Sequence, residues 1–370
     1  RRIGGLDRAV PTFLSDFESA YADIDRGSFE HASFSQLMDS LAAIRGRMLD
    51  RWSVPILNDF AVMMSSGRLR RMLEGTGGSG LYIPLMGGEE GIESTEPTRA
   101  LLRLARDARA DAGLRQALEH RSPGEALALL RRRFPPFAES IDRYIERYGD
   151  RVMGELKLET VTLREDPDFV VRVLRNYLTA TPIDPDAVVA RERAAREAAE
   201  ADLMGRLKPW QRGRARRTLK AARTAVKHRE NMRLARTRMF GLARDAYRAL
   251  GQRLLEAERL QDPRDVFYLG TDELLAYHEG RSLNADLGAV AAARKAEFAA
   301  YEDQSPGHRV ATIGPVYHGN RFDPPPVERP VDARTLLGIG CYPGVVDSTL
   351  CVILSPQDSL DVGGRILTTL

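Results

Sequence analysis

Apolar residues in the first fifty positions return at steps of three and four: Phe13, Phe17 and Tyr21, then Leu37, Leu41, Ile44 and Met48. That spacing puts each set on one face of a helix. Pro55 opens a further helical stretch with Leu57, Phe60, Met63 and Met64 as its apolar positions, ending at about Leu73. The glycine-rich run from Gly75 to Gly91 predicts a loop. Ser94 or Thr95 can then cap a helix carrying Pro97 in its first turn and Leu101, Leu102 and Leu104 within it. Shorter helices follow to Tyr148, broken at Ser122-Pro123-Gly124 and at Pro135-Pro136.

From Arg151 to Leu163 the pattern changes. Leu156, Leu158 and Val161 alternate with polar residues, which fits a strand or an extended loop. After Asp166-Pro167 the helical spacing resumes, and one element is expected from about Pro209 to Leu260. Its stripe is Met232, Ala235, Met239, Leu242, Ala246, Leu250 and Leu254, a core face. Gly213, Gly241 and Gly251 are expected to bend or interrupt it. Asp262 to Leu269 predicts a turn and a short strand, followed by a capped helix through Asp272-Glu273-Leu274. Residues 306–334 form a Pro-rich connector, and beyond it Gly344-Val345-Val346, Leu350 to Leu354 and Ile366-Leu367 read as strands. The expected fold is mainly α: a large helical domain over residues 1–330, then the first strands of an α/β domain over 335–370, with a boundary near 330. There are no internal repeats.

Composition narrows the class. A chain of 370 residues can bury a full core unaided, and two cysteines exclude a disulfide-stapled scaffold. No apolar run approaches the ~20 residues of a membrane span, so no membrane partner is expected and a cytoplasmic location is. The chain opens on Arg1 without a signal segment and stops within the apolar run after Gly363-Gly364-Arg365, which reads as a piece of a longer protein.

Charge is unevenly spread. From Arg206 to Arg244 there are 14 Lys plus Arg and one acid, Glu230, although the whole chain nets only +3. A solvated helix face is the ordinary account of such a block; a phosphate or anionic-substrate site is the other reading that suits arginine. The stretch lacks interleaved aromatics and any nucleic-acid reader motif, so no nucleic acid partner is expected.

The six histidines, His31, His120, His228, His278, His308 and His318, show no metal-ligand spacing with one another or with a cysteine. Gly77-Gly78-Ser79-Gly80 lacks the Gly-Lys-Ser/Thr ending of a phosphate loop and reads as a turn. Cys341 and Cys351 read as small buried hydrophobes. Three clusters carry more. In Tyr148-Gly149-Asp150-Arg151-Val152-Met153-Gly154-Glu155 two glycines bracket an Arg and a Glu outside helical spacing. His228-Arg229-Glu230, with Arg233 and Arg236, places three arginines at i, i+4 and i+7 on one helix face. Three guanidinium groups cannot share a desolvated face without an anion or acidic partners. The third cluster, Asp262 to Leu269 with Asp272-Glu273-Leu274, reads as structural.

In this order the clusters resemble the phosphoenolpyruvate-utilising phosphotransferases, the phosphoenolpyruvate synthase and rifampicin phosphotransferase group. Tyr148-Gly149 with Arg151 and Gly154-Glu155, followed by Arg164-Glu165-Asp166-Pro167, is similar to that family's Tyr-Gly-x-Arg-x-x-Gly-Glu segment and its Arg-Glu-Asp-Pro close. Arg229-Glu230 with Arg233, then Asp265 to Leu269 and Glu273-Leu274, resembles its Arg-Glu helix and Asp-hydrophobic-aromatic-Tyr-Leu signature. Gly338-Ile339, Pro343 to Val346, Asp358 and Gly363 to Leu367 resemble the opening strands of its swivelling phosphohistidine domain.

The resemblance implies a relay. An ATP-grasp domain, using ATP and magnesium, phosphorylates a histidine on a mobile domain, which carries the phosphoryl group to an acceptor. Neither the ATP-grasp domain nor the carrier histidine lies in this chain, so no cofactor is expected here and the chain alone is expected to be inactive. The partners implied are a small-molecule acceptor, rifampicin-like or pyruvate, and the rest of the polypeptide. Arg151, Arg229, Arg233 and Arg236 are the expected phosphoryl or acceptor contacts, with Glu155 and Glu230 orienting them or acting as base. The competing reading is a non-catalytic helical module that docks an acidic partner.

Overall fold

The computed structural model describes residues 5–89, 91–284, 286–302, 304, 345–354 and 362–369. Three helices open the chain: α1 (Leu6–Ala22), α2 (Phe34–Arg47) and α3 (Ser53–Glu74). A short α4 (Tyr82–Met86) precedes a compact group of five, α5 (Glu96–Ala110), α6 (Ala112–Glu119), α7 (Pro123–Arg133), α8 (Pro135–Tyr148) and α9 (Asp168–Thr179). Then come α10 (Pro185–Arg206), α11 (Pro209–Glu256), α12 (Thr271–His278) and α13 (Leu287–Ala300), and last two short strands, β1 (Leu350–Val352) and β2 (Ile366–Thr368). Among the described residues the fold is therefore mainly α, with its strands at the end.

Local chemistry sets many of these boundaries. Ser33 and Gln36 form a reciprocal capping box at the start of α2, and Ser122 and Glu125 do the same for α7, where Pro123 takes the first helical position. Asp184 caps α10 through the Asp186 N–H, again followed by a proline.

The 48 residues of α11 make a rod of about 72 Å at 1.5 Å per residue. Three of the four cores lie along it. Near its start Leu219 and Ala222 pack with Leu69 and Leu73 of α3 and Leu203 of α10. At mid-length Met232 joins Val10 and Phe13 of α1. Its last half, Met239 to Leu254, packs with α1, α2, α12 and α13. Every residue of the expected stripe from Met232 to Leu254 is buried. Asn58, itself buried, ties α3 to the rod by donating to the Ala225 carbonyl at 2.8 Å. The α5–α9 group keeps its own core, centred on Leu118, Leu130, Ile141 and Leu174.

Several local expectations are corrected. The rod is unbroken at its glycines, because Gly241 and Gly251 serve close approach, not bending. A Cβ on Gly241 would lie 2.1 Å from the Asp150 carboxyl carbon, and one on Gly251 would lie 2.0 Å from the Pro263 carbonyl oxygen. Residues 151–163 are a succession of turns, not a strand. Pro263–Tyr268 is a 3-10 turn, not a strand, with Asp262 accepting from the Arg264 N–H. The 75–91 loop contains α4 and a 3-10 turn at Ser79–Leu81. On α3 the apolar residues Phe60, Met63 and Met64 are exposed, and the core side is instead Val62, Leu69 and Leu73.

β1 and β2 pair in parallel, Leu350 opposite Ile366 and Val352 opposite Thr368. Parallel pairing requires a crossover and not a tight hairpin. Cys351, in β1, is a free, half-buried thiol. The expected boundary near 330, the Pro-rich connector, His308, His318, Gly338-Ile339, Cys341, Pro343-Gly344 and Asp358 lie outside the described residues.

Candidate functional site

Between α8 and α9 the chain runs as turns from Gly149 to Pro167, and α11 fixes their shape. Arg244 is fully buried in the rod and donates to three backbone carbonyls of that segment, Nη2 to Glu155 and Lys157 at 2.9 Å and Nε to Leu158 at 3.0 Å. Burial lowers its pKa below the ordinary arginine value, with Asp150, Glu165 and Asp245 pulling the other way. Asp150 enters over Gly241 and receives both prongs of Arg26, at 2.8 and 2.9 Å. Arg26 also donates to Asp245 at 2.5 Å. Burial disfavours the charge on Arg26, but Asp150 and then Asp245 outweigh it and hold this guanidinium above its ordinary value. Glu165 is paired with both Arg248 and Arg264, at 3.1 and 3.0 Å.

The clamp brings the expected residues together. Glu155, buried, sits between Arg151 at 3.4 Å and Arg233 of the rod at 3.6 Å. Arg233 in turn stands 4.0 Å from Glu230, which pairs with Arg229 at 3.1 Å. Arg236 lies one turn on, its Nε buried without a partner among the described residues. Two carboxylates thus alternate with three guanidinium groups, Arg151, Arg233 and Arg229, which relieves the repulsion that a bare cationic face would carry.

Two hollows meet at this cluster, and Arg233 and Arg236 line both. The larger, about 960 Å³, opens between the α5–α9 group and the rod. Its walls are largely apolar, with Leu101, Val161, Phe169 and Val173, and Tyr144 stands among them. Burial, and to a smaller degree Tyr177 and Tyr148, raises the Tyr144 pKa, so it lines the hollow as a neutral phenol. The smaller, about 230 Å³, lies against α3 and is walled by Trp52, Pro55 and Asp59 together with Arg229 and Glu230. It admits only a small group, whereas the larger hollow has room for a drug-sized molecule. A third hollow of about 840 Å³ lies along α1 against Arg47 and Arg51, and none of the expected residues lines it.

The model of the rifampicin phosphotransferase fourth domain matches residues 56–230, a span that includes Arg151, Glu155, Arg229 and Glu230. Over that span the chain is similar to the phosphoenolpyruvate-utilising phosphotransferases. Rifampicin phosphotransferase of Bacillus subtilis (strain 168) is 23% identical over 239 residues, 62% of this chain and 26% of its own length. That of a Streptomyces species is 26% identical over 241 residues, again covering 62% and 26%. An uncharacterized protein of Mycobacterium tuberculosis is 27% identical over 362 residues, 94% of this chain and 36% of its own. The chain thus spans about a quarter to a third of the relatives it matches.

Sequence reasoning passed over Arg26, Arg244, Trp52 and Asp59. Arg26 is a lone cation in a helical stretch, and nothing near it in sequence announces Asp150. Arg244 had a signal: it is the one arginine flanked by the core residues Leu242 and Ala246. Among the described residues no group of three or more His, Cys, Asp or Glu is placed to hold a metal ion, and no helix is long and apolar enough to cross a membrane.

Proposed function

We propose that this chain is the acceptor-binding part of a longer cytoplasmic, ATP-dependent phosphotransferase, in which a phosphohistidine on a mobile domain delivers the phosphoryl group. The observation that carries the reading is the sharing of Arg233 and Arg236 between a large apolar hollow and a small polar one. An acceptor in the large hollow would present its reacting oxygen toward these guanidinium groups. The phosphoryl group would arrive from the Trp52 side, so that donor and acceptor meet across the arginines. Phosphoryl transfer needs in-line placement and cationic stabilisation of the equatorial oxygens, and little covalent chemistry from the protein. Arg151 and Arg233 supply the charge, and Glu155 holds both in register. Rifampicin, named by the relatives, is the first acceptor to try. ATP and magnesium belong to the charging step, which no residue of this chain is assigned to perform.

The test is direct. Full-length protein is charged with γ-labelled ATP and incubated with rifampicin, and label is followed into the drug. Arg233→Ala and Arg151→Ala should each slow transfer about 10²-fold, the usual cost of removing one transition-state donor. Full transfer by both variants removes them from the site.

A further inference from the structure

The cationic block of the sequence is only partly used by this site. At the opposite end of α3 four more arginines face a common groove. Arg68 and Arg71 come from the last two turns of α3, and Arg214 and Arg217 from the beginning of α11. The groove encloses about 860 Å³, and Gln211, Thr218 and Thr76 add polar groups to its walls.

Among the described residues, none of these four guanidinium groups has an ion pair or a side-chain hydrogen bond. Neighbouring arginines differ in this respect. Arg206 is held by Asp202 and the Gly77 carbonyl, Arg223 by Glu200 and the Leu85 carbonyl, and Arg70 lies over the Tyr82 ring. Glu74, on the same end of α3, does not line the groove, and α11 supplies no acid until Glu230, about 3.6 turns beyond Arg217. Like charges on both banks of one groove repel, and nothing in the groove relieves them.

We propose that the groove binds the triphosphate group of a small polyphosphate ligand. The chemistry follows from charge density and donor geometry. Four guanidinium groups call for about four negative charges within a small volume. A triphosphate brings them in one compact chain; orthophosphate brings about two, and a peptide needs several successive acids. Each arginine offers a planar fork that matches phosphate oxygens in pairs, which a lysine cannot do. The triphosphate can be free or carried on a nucleoside, and Trp210, 74% exposed one turn before Arg214, is the exposed aromatic face nearest in sequence for a base. This site is separate from the acceptor hollow and does not rest on the phosphotransferase reading.

The experiment is isothermal titration of this 370-residue chain with tripolyphosphate, ATP and orthophosphate at low salt, against Arg71→Gln/Arg217→Gln. The expected result is one-to-one binding of tripolyphosphate, at least 30-fold tighter than orthophosphate and weakened at least 20-fold in the double variant. Both positions are exposed, and thermal unfolding of the free variant should match wild type or exceed it, since repulsion is relieved. ATP binding tighter than tripolyphosphate, with the advantage lost in Trp210→Ala, supports a nucleoside-borne ligand; equal or weaker ATP binding supports free polyphosphate. Tripolyphosphate binding equally to wild type and variant, or not at all at millimolar concentration, overturns the proposal. So does capture of only poly-glutamate or an oligonucleotide.

Discussion

Arg26 and Asp150 are joined by two parallel hydrogen bonds of 2.8 and 2.9 Å across 124 residues of chain, and the Asp150 side chain is only 4% exposed. Removing Arg26 takes both hydrogen bonds from a buried carboxylate and leaves it only Arg164, 3.4 Å away, so the cost approaches the ~3–5 kcal/mol of a broken buried pair. Arg26→Ala should therefore lower the urea midpoint well beyond the change at an exposed arginine such as Arg216→Ala, near the start of α11. Equal midpoints for the two variants would show that Arg26 is replaceable by water.

Gly241 sits directly under Asp150. Its Cβ position is occupied by the carboxyl group, so Gly241→Ala must push the 149–167 segment off the rod or strain both. Overpacking of this kind costs about 1–3 kcal/mol. The same change at Gly213, where a Cβ meets nothing within 4 Å, should be stabilising, because alanine is the better helix former by about 1 kcal/mol. Thermal unfolding of the two variants side by side checks the opposite signs.

Arg244→Met keeps the volume of a buried side chain and removes the donors to Glu155, Lys157 and Leu158. The turns that carry Arg151 and Glu155 then lose their anchor. Amide exchange in residues 154–160 should speed up by at least tenfold, while amides of α2 and α12 keep their rates. Uniform acceleration across the molecule would mean that Arg244 supports global stability and not this segment.

His228 gives the stability a pH dependence. Burial lowers its pKa below the ordinary 6.5, with Lys227 adding to the effect and Asp7 opposing it. The folded chain then binds fewer protons at this position than the unfolded chain. Its contribution to stability is complete above about pH 6.5 and is lost as pH falls through the folded value. Wild type should lose more stability than His228→Gln between pH 7.5 and 5. Parallel losses in the two proteins rule the histidine out as the source.

What the sequence disclosed follows from the range over which each signal acts. The rod and its stripe were legible because a 3.6-residue period repeats for dozens of residues, and the α7 and α8 boundaries because Pro123 and Pro135 stop a helix locally. Arg233 and Glu155 could be placed on one surface because the order of three motifs carried information that neither stretch holds alone. Of the two readings open at 151–163, strand or extended loop, the strand fails for the converse reason. Leu156, Leu158 and Val161 alternate as strand residues do, but the segment's carbonyls at Glu155, Lys157 and Leu158 are satisfied by Arg244, 86 to 89 residues away, not by a neighbouring strand. Gly241 and Gly251 misled similarly: a glycine that admits another segment looks, in sequence, like one that bends its own helix. Phe60 and Met63 show the limit of periodicity, which detects a helical face but not whether anything covers it.

The place of α11 in the chain has a consequence for biogenesis. The apolar sides of α1, α2 and α3 are sealed mainly by residues 219–254, which leave the ribosome some 200 residues after α1 does. At roughly 5–20 residues per second that is an interval of about 10–40 s. Through that interval the N-terminal fifth is obliged to wait with greasy surfaces open, guarded by chaperones or by its own solubility. Synthesis halted before residue 219 should leave an aggregation-prone nascent chain, and one halted after residue 260 should not.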